Sequence, residues 1–598
     1  MEELFIRFIK NPIEFIKRHE ILCLLCLVYL VYNINGRTIG AGDTIPASLL
    51  PFSILENHNL YLDQFSYYFE SNYEWPYFVQ ELCGHSLSIY PIVTPVLVTP
   101  LYILPLLFMK WAHIPVDLFH PGFALIVPIM EKLAASLIAS LSVIFVFLSV
   151  KELINKRTAI IVALIFAFAT NTWTISSQAL WQHGLVELFL AMSIYLVLIN
   201  EKRASNKIIV SLGVISGLFV FNRLVDSILL IPIIYYIFGL RDRRIAYYLC
   251  AMFISGGPFL LYNLHYFGNL FGGMNYVLGL LGGRSGLIMP FMALLISPNR
   301  GLFVYTPIML FSVLGYFRIL QMTNSKIKNF LFIMGVSILA LTAVYASFGI
   351  WWAGWSYGPR YLTGMLPALA IFLGLYIKDI NFDIKNGKNL AVICIFSILL
   401  IWSVFAQIVG AFYYPNGNWD GTPSVDHHPE RCWYWNDTQI MRSFNAGIIP
   451  PGDYIKTLQN IANSPQDIAA IGTLGKGWYG IEIWAGTPTR WMKDDALISI
   501  KSSENRTANL SLRLTSFYRP RTLEIYAGDE LALRTNVSST GFEDKTAQIH
   551  LMKGTSTIRL HVPDGCERPF DKLELNNRDL RCLSVAVQDV AEKEDIHV

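Results

Sequence analysis

The sequence predicts a polytopic α-helical membrane bundle of about eleven transmembrane helices, followed by an exterior all-β sandwich. Three observations lead there. Only 15% of the 598 residues are charged, against 54% hydrophobic, with a mean hydropathy of +0.45; a soluble chain of this size carries about a quarter charged residues. Apolar runs of about 20 residues, the length that crosses hydrocarbon, recur as far as residue 411. Beyond that point the runs stop, and short alternating segments separated by turn residues take over.

The elements follow in order. Residues 1–20 carry Arg7, Lys10, Lys17 and Arg18 among apolar side chains, which suits an amphipathic segment on the cytoplasmic leaflet rather than a cleaved signal peptide. Spans are expected near 21–35, 123–150, 158–175, 184–200, 207–222, 226–240, 245–264, 302–318, 329–349, 361–378 and 389–411. The links at 151–157, 201–207, 241–244, 318–328 and 378–388 are short and basic, so they fall inside. This puts the N-terminus in the cytoplasm and the C-terminal domain outside the cell membrane. Residues 88–109 are long enough to cross, but Pro91, Pro95, Pro100 and Pro105 oppose a straight span. A broken or re-entrant helix in an outer loop, 36–122, keeps the basic links inside.

Residues 412–480 are aromatic and rich in Pro and Gly, an exterior linker region. From 481 to 598 the alternating segments 496–501, 510–517, 522–527, 547–551, 557–562 and 583–587 predict the sandwich. Asn436, Asn505, Asn509 and Asn536 head glycosylation sequons compatible with an exterior place. Of eight cysteines, Cys566 and Cys582 are candidates for a disulfide in an oxidising exterior, and Cys83 with Cys432 form a second candidate pair. No Cys/His spacing predicts a metal site, and a net charge of +3 without a basic run argues against nucleic acid.

Outward loops of membrane proteins are poor in arginine, yet Arg37, Arg223, Arg284, Arg300 and Arg360 all map there. Each alone could meet a lipid headgroup. Several sit beside Gly, Pro and aromatic residues, as in Ser297–Pro307 and Trp351–Tyr361, and a planar guanidinium fork suits phosphate. Arg360, Arg300, Arg223 and Arg37 are therefore candidates to bind a lipid phosphate. Trp351–Tyr361 reads either as an interfacial aromatic belt or as a shaped loop lining substrate, with Trp355 and Tyr357 as its lining residues and Tyr305 from the neighbouring loop. His183 reads either as a hydrogen-bonded structural residue or as a contact to phosphate or sugar.

Asp43, just beyond the first span and close to Arg37, is the candidate general base. A turn aspartate bonding its own backbone is the plain alternative. Asp63 is a second candidate carboxylate, as base, substrate-lining residue or cap.

One span, an outer loop with an early acidic residue, juxtamembrane helices and about ten further spans: this layout over residues 1–411 resembles the GT-C superfamily of integral membrane glycosyltransferases. The protein O-mannosyltransferases and the lipid A aminoarabinose transferases are of that type. The Asp-Glu pair of the mannosyltransferases is absent, since Thr44 follows Asp43. The resemblance implies a transferase that moves a sugar from a polyprenyl-phosphate-linked donor to a hydroxyl on a glycan, lipid or protein acceptor, inverting the anomeric carbon. Arginines could replace a metal in such a site, although some branches use divalent ions. The sandwich is similar to carbohydrate-binding modules. A transporter or flippase of a lipid-linked saccharide is the rival reading, and it would need polar residues at mid-span.

Overall fold

A computed structural model describes residues 19–73, 76–275, 286–380, 386–450, 468–484, 487–569, 572 and 581–594. Residues 1–18, Arg284 and 451–467, on which several expectations fall, lie outside these. Seven described helices have the length and apolar composition to cross a membrane, and four shorter apolar helices accompany them. The protein is a multi-pass membrane protein with a C-terminal β domain.

The helices begin where polar caps end the short basic links. Asn155, Ser205, Asn324 and Asn386 each accept a backbone N–H from the first turn of the helix that follows, satisfying donors that the helix itself cannot. Glu20, at the start of helix Glu20–Asn33, pairs with Lys151 and Lys156 and joins the first span to one such link. The bundle's longest helix, Pro121–Leu153, packs on Glu20–Asn33, Lys156–Phe168 and Gln182–Lys202.

Two expected spans are interrupted. The helix expected over 158–175 stops at Phe168, and a buried π-turn follows at Thr172–Ser176. Thr170 and Ser177 return their hydroxyls to the carbonyls of Phe166 and Trp173, which satisfies backbone inside the bundle. The span expected over 302–318 is split into Leu302–Tyr305, Pro307–Met309 and Leu310–Arg318. Pro307 lacks an N–H, and the residue before it is pushed out of the helical region. Helix Ile288–Ile296, not expected, precedes this set. The proline-rich stretch forms Val93–Val98 and Ile103–Trp111 around a 3-10 turn at Thr99–Tyr102. By length and composition it too suffices to cross a membrane.

Twelve strands are described. β1 (Val79–Leu82) and β2 (His85–Ser88) form a hairpin within the segment 36–122. The β domain contains β3 (Thr473–Leu474), β4 (Trp478–Trp484), β5 (Thr487–Met492), β6 (Asp495–Ser502), β7 (Arg506–Ser516), β8 (Arg521–Ala527), β9 (Glu530–Val537), β10 (Glu543–Leu551), β11 (Gly554–His561) and β12 (Val585–Glu594). They make two antiparallel five-stranded sheets, ordered β10-β7-β12-β5-β4 and β3-β6-β11-β8-β9. Alternation places Ile498 and Ile500 of β6, Leu510, Leu512 and Leu514 of β7, and Ile558 and Leu560 of β11 in the core between them.

The segment between the first two expected spans reaches this core. Phe119 is buried among the sandwich residues, with Tyr67 and Tyr68 packed beside it. Asn72 Oδ1 accepts the N–H of Gly480 at 2.6 Å. Cys566 and Cys582 are disulfide-bonded. The other candidate pair is not formed. Cys83 is a free, exposed thiol in the β1–β2 turn, whereas Cys432 is buried in the bundle core, where burial pushes its thiol up to about 11.

Candidate active site

Asp43 opens the short 3-10 turn Gly42–Thr44, which leads directly into helix Ile45–Asn57. Gly42 lets Tyr77 pack close: a Cβ would stand 2.2 Å from the Tyr77 hydroxyl, so any larger residue would push that ring aside. The Asp43 carboxylate is held from two sides. Arg360 Nη1 donates to Oδ2 at 2.8 Å, and the Tyr90 hydroxyl donates to Oδ1 at 3.0 Å. Tyr90 comes from the outer loop just after β2, a role the sequence did not mark.

Asp43 lies in the wall of a cavity of about 1020 Å³, a volume that suits a drug-sized or larger ligand. Phe221, Phe259, Tyr262, Phe267, Phe271 and Phe348 form an apolar wall. Arg37, Arg223 and Arg360 also line the cavity, as do Trp355, Tyr414 and Asp426.

The arginines differ in what they have left to offer. Arg360 lies in the loop Trp351–Tyr361, whose tight course uses left-handed backbone at Ala353, Gly354 and Gly358. Its Nη2 donates to the Ala353 carbonyl at 2.7 Å, and its guanidinium stacks over Trp181 at 4.5 Å. Its Nε is buried without an acceptor among the described residues. Arg223 caps helix Asn206–Asn222. Its Nε meets Asp226 at 2.5 Å and the Tyr345 hydroxyl at 3.0 Å, and Nη1 donates to Gln182 at 3.2 Å. Arg37 Nη2 donates to the carbonyls of Ala411 and Tyr414, tying the outer loop to the end of helix Gly387–Phe412.

Arg300 is not placed to bind a ligand. It is 1% exposed and lies off the cavity wall. All five of its donors are used, by the carbonyls of Trp352, Asn299 and Gly354, by Gln439 Oε1, and by Asp420 Oδ1 at 2.7 Å. Three other candidates for lining substrate are corrected the same way. Tyr305 is buried and donates to Gln439 at 2.9 Å; Tyr357 is buried and donates to the Ala406 carbonyl at 2.6 Å. Asp63 joins the hairpin instead, accepting from the Ser86 N–H at 2.7 Å and pairing with His85 at 2.7 Å. His183 is also buried off the cavity wall. Trp355, by contrast, lines the cavity and is 48% exposed.

The region expected to be a linker contributes directly. Trp419, Val425 and Cys432 belong to the bundle core, and Asp437 pairs with both Arg431 and Arg442. This folded segment brings Tyr414, Asn418, Asp420 and Asp426 to the cavity. Its dense Trp, Tyr and Asp content was the available signal.

Glu131 and Lys132, adjacent in sequence, do not satisfy each other. Lys132 Nζ donates to Gln178 at 2.6 Å, and Glu131 accepts the Leu180 N–H at 3.1 Å. Among the described residues, no group of three or more His, Cys, Asp or Glu side chains is placed to hold a metal ion.

No protein-family model and no curated protein matches the chain. Solved structures give fold-level likenesses. ArnT from Cupriavidus metallidurans bound to undecaprenyl phosphate matches at TM-score 0.42 and 12% identity, over 71% of this chain and 75% of that one. The oligosaccharyltransferase of Archaeoglobus fulgidus matches at 0.42 and 12%, over 69% of this chain and 60% of that one. The arabinosyltransferase EmbB from Mycobacterium smegmatis matches at 0.32 and 10%, over 95% of this chain and 67% of that one. Likeness of this order carries no argument about activity or substrate.

Proposed function

We propose that the protein is a membrane glycosyltransferase that moves a sugar from a polyprenyl-phosphate-linked donor to an acceptor hydroxyl at the exterior face, with inversion and with Asp43 as general base. The observation that carries this reading is the Asp43 carboxylate in the wall of a large cavity that combines an apolar face with three arginines. The apolar wall suits a prenyl chain. Arg223, with Nη2 lacking an acceptor among the described residues, and Arg360, with its unmatched Nε, suit the phosphate.

In the proposed step, the acceptor hydroxyl gives its proton to an Asp43 oxygen as its own oxygen attacks the anomeric carbon. The bond from that carbon to the donor phosphate oxygen breaks, and the lipid phosphate leaves with the electron pair. Arg360 and Arg223 stabilise the charge that grows on it. Tyr90 holds the carboxylate in position. The transport reading asks for a polar pathway through the spans; Glu131, Lys132 and Glu187 instead make internal hydrogen bonds, and none lines the cavity.

Cells carrying Asp43→Asn at matched expression test the proposal, with lipid-linked sugars and surface glycans measured by mass spectrometry. The expected outcome is accumulation of one polyprenyl-phosphate sugar and loss of one surface sugar, by a factor of about 10² to 10⁴ in rate. Unchanged pools in the variant, with altered pools on deletion of the whole protein, would overturn the role of Asp43.

A further inference from the structure

Four carboxylates line or flank the cavity, and three are matched by arginine: Asp43 by Arg360 at 2.8 Å, Asp226 by Arg223 at 2.5 Å, and Asp420 by Arg300 at 2.7 Å. The fourth, Asp426, lines the cavity, and no Lys, Arg or His among the described residues stands within ion-pair distance of it. It is nevertheless held in place. Its Oδ1 accepts the indole N–H of Trp352 at 2.8 Å, and that indole is 7% exposed. The carboxylate is thus anchored at one oxygen and forms no ion pair among the described residues.

An aromatic surface accompanies it. Trp355, three residues beyond the anchoring indole, lines the same cavity half-exposed. Its ring lies against Gly421 of the segment that carries Asp426: a Cβ at Gly421 would stand 3.0 Å from the Trp355 ring. One loop and one folded segment therefore present a fixed anion and an open indole to one cavity.

We propose that Asp426 and Trp355 form a sugar subsite that takes neutral and amino sugars and rejects acidic ones; this rests on the glycosyl-transfer reading above. A carboxylate accepts hydrogen bonds from neighbouring hydroxyls, and more strongly from an ammonium. An indole face covers the C–H face of a pyranose ring. A sugar carboxylate brought against Asp426 would meet like charge, the kind of contact that excludes wrong partners.

Saturation-transfer NMR on the purified full-length protein in detergent tests this, with methyl glucoside, methyl glucosaminide and methyl glucuronide as probes. The expected order is glucosaminide at least as strong as glucoside, and glucuronide without signal. Asp426→Asn should weaken the glucosaminide about tenfold and let the glucuronide bind. Trp355→Ala should weaken all the glycosides that bind, at unchanged thermal stability. Glucuronide binding equal to glucosaminide in the native protein, no binding of any probe, or a preference unaltered by Asp426→Asn would each overturn the subsite. Competition identifies the sugar's source. Displacement of the glucoside by a polyprenyl-phosphoryl sugar, but not by the bare polyprenyl phosphate, marks the donor's sugar; simultaneous binding with both marks the acceptor's. Failure here is separable from failure of the transfer reading, because glycoside binding is read on the purified protein with Asp43 intact while the pools measured in cells report on transfer.

Discussion

Two loops of similar composition carry Arg300 and Arg360, and both arginines are more than nine-tenths buried. Arg300, in the Ser297–Pro307 loop, has its guanidinium surrounded by oxygen from its own loop, from Trp352 and Gly354, and from Asp420 and Gln439: three carbonyls, one amide and one carboxylate take every donor. Arg360, in the Trp351–Tyr361 loop, has the Ala353 carbonyl of its own loop and the sequence-distant Asp43 carboxylate as acceptors, and its Nε is left unmatched among the described residues. Burial is therefore a poor guide to which arginine meets a ligand. The supply of acceptors around it is the better one. Arg300 joins three chain segments as a rivet, while Arg360 keeps capacity for an incoming anion beside the proposed base.

Substitutions can break or sharpen this contrast. Arg300→Ala leaves Asp420 as a buried, unpaired charge and should cost about 3–5 kcal/mol. The check is loss of the thermal transition and of monodisperse protein, and a stable, folded Arg300→Ala would refute its structural role. Arg360→Lys keeps the charge but loses the fork; transfer should fall by about 10² to 10³, with the melting temperature nearly unchanged. If it unfolds the protein instead, the two arginines do the same job. Tyr90→Phe removes one hydrogen bond from Asp43 and should slow transfer about tenfold without loss of glycoside binding, measured as kcat against KM.

The smallest effect lies in the β domain. Hydrogen bonds from the N–H of Thr522 and of Ser538 hold the carboxyls of Asp564 and Glu543 below their ordinary range. A carboxyl lower in the folded than in the unfolded state stabilises fully above its unfolded pKa, and that stability is lost as pH falls through the folded one. Hydrogen exchange in β8 and β10, corrected for intrinsic rate, should thus accelerate modestly from about pH 5 downward. Asp564 is exposed and Glu543 partly so, and solvent screens much of the effect.

Spans were legible where apolar runs were bounded by Asn or Ser caps and basic links, as at Asn155 and Asn324. They were misjudged where backbone leaves the helix inside the bundle, as at Thr172–Ser176 and Pro307, because hydropathy does not record hydrogen-bond accounting. Strands with clean alternation, such as β6 and β7, were readable; the edge strand β9, with little burial, was not. In the site, Asp43, Arg223 and Arg360 stood out as polar residues beside spans. Tyr90 and Asp426 did not, because each acts through a contact far along the chain, with Asp43 and Trp352.

Phe119 is made early and covered late. It emerges with the outer loop, yet the core that encloses it comes from strands at the far end of the chain. At a synthesis rate of roughly 5–20 residues per second, Phe119, Tyr67 and Tyr68 wait on the order of tens of seconds for their partners. During that time the apolar patch they form is open to chaperones, to lipid and to other chains. The strands that enclose Phe119 are thus made hundreds of residues after the segment whose aromatic side chains they cover.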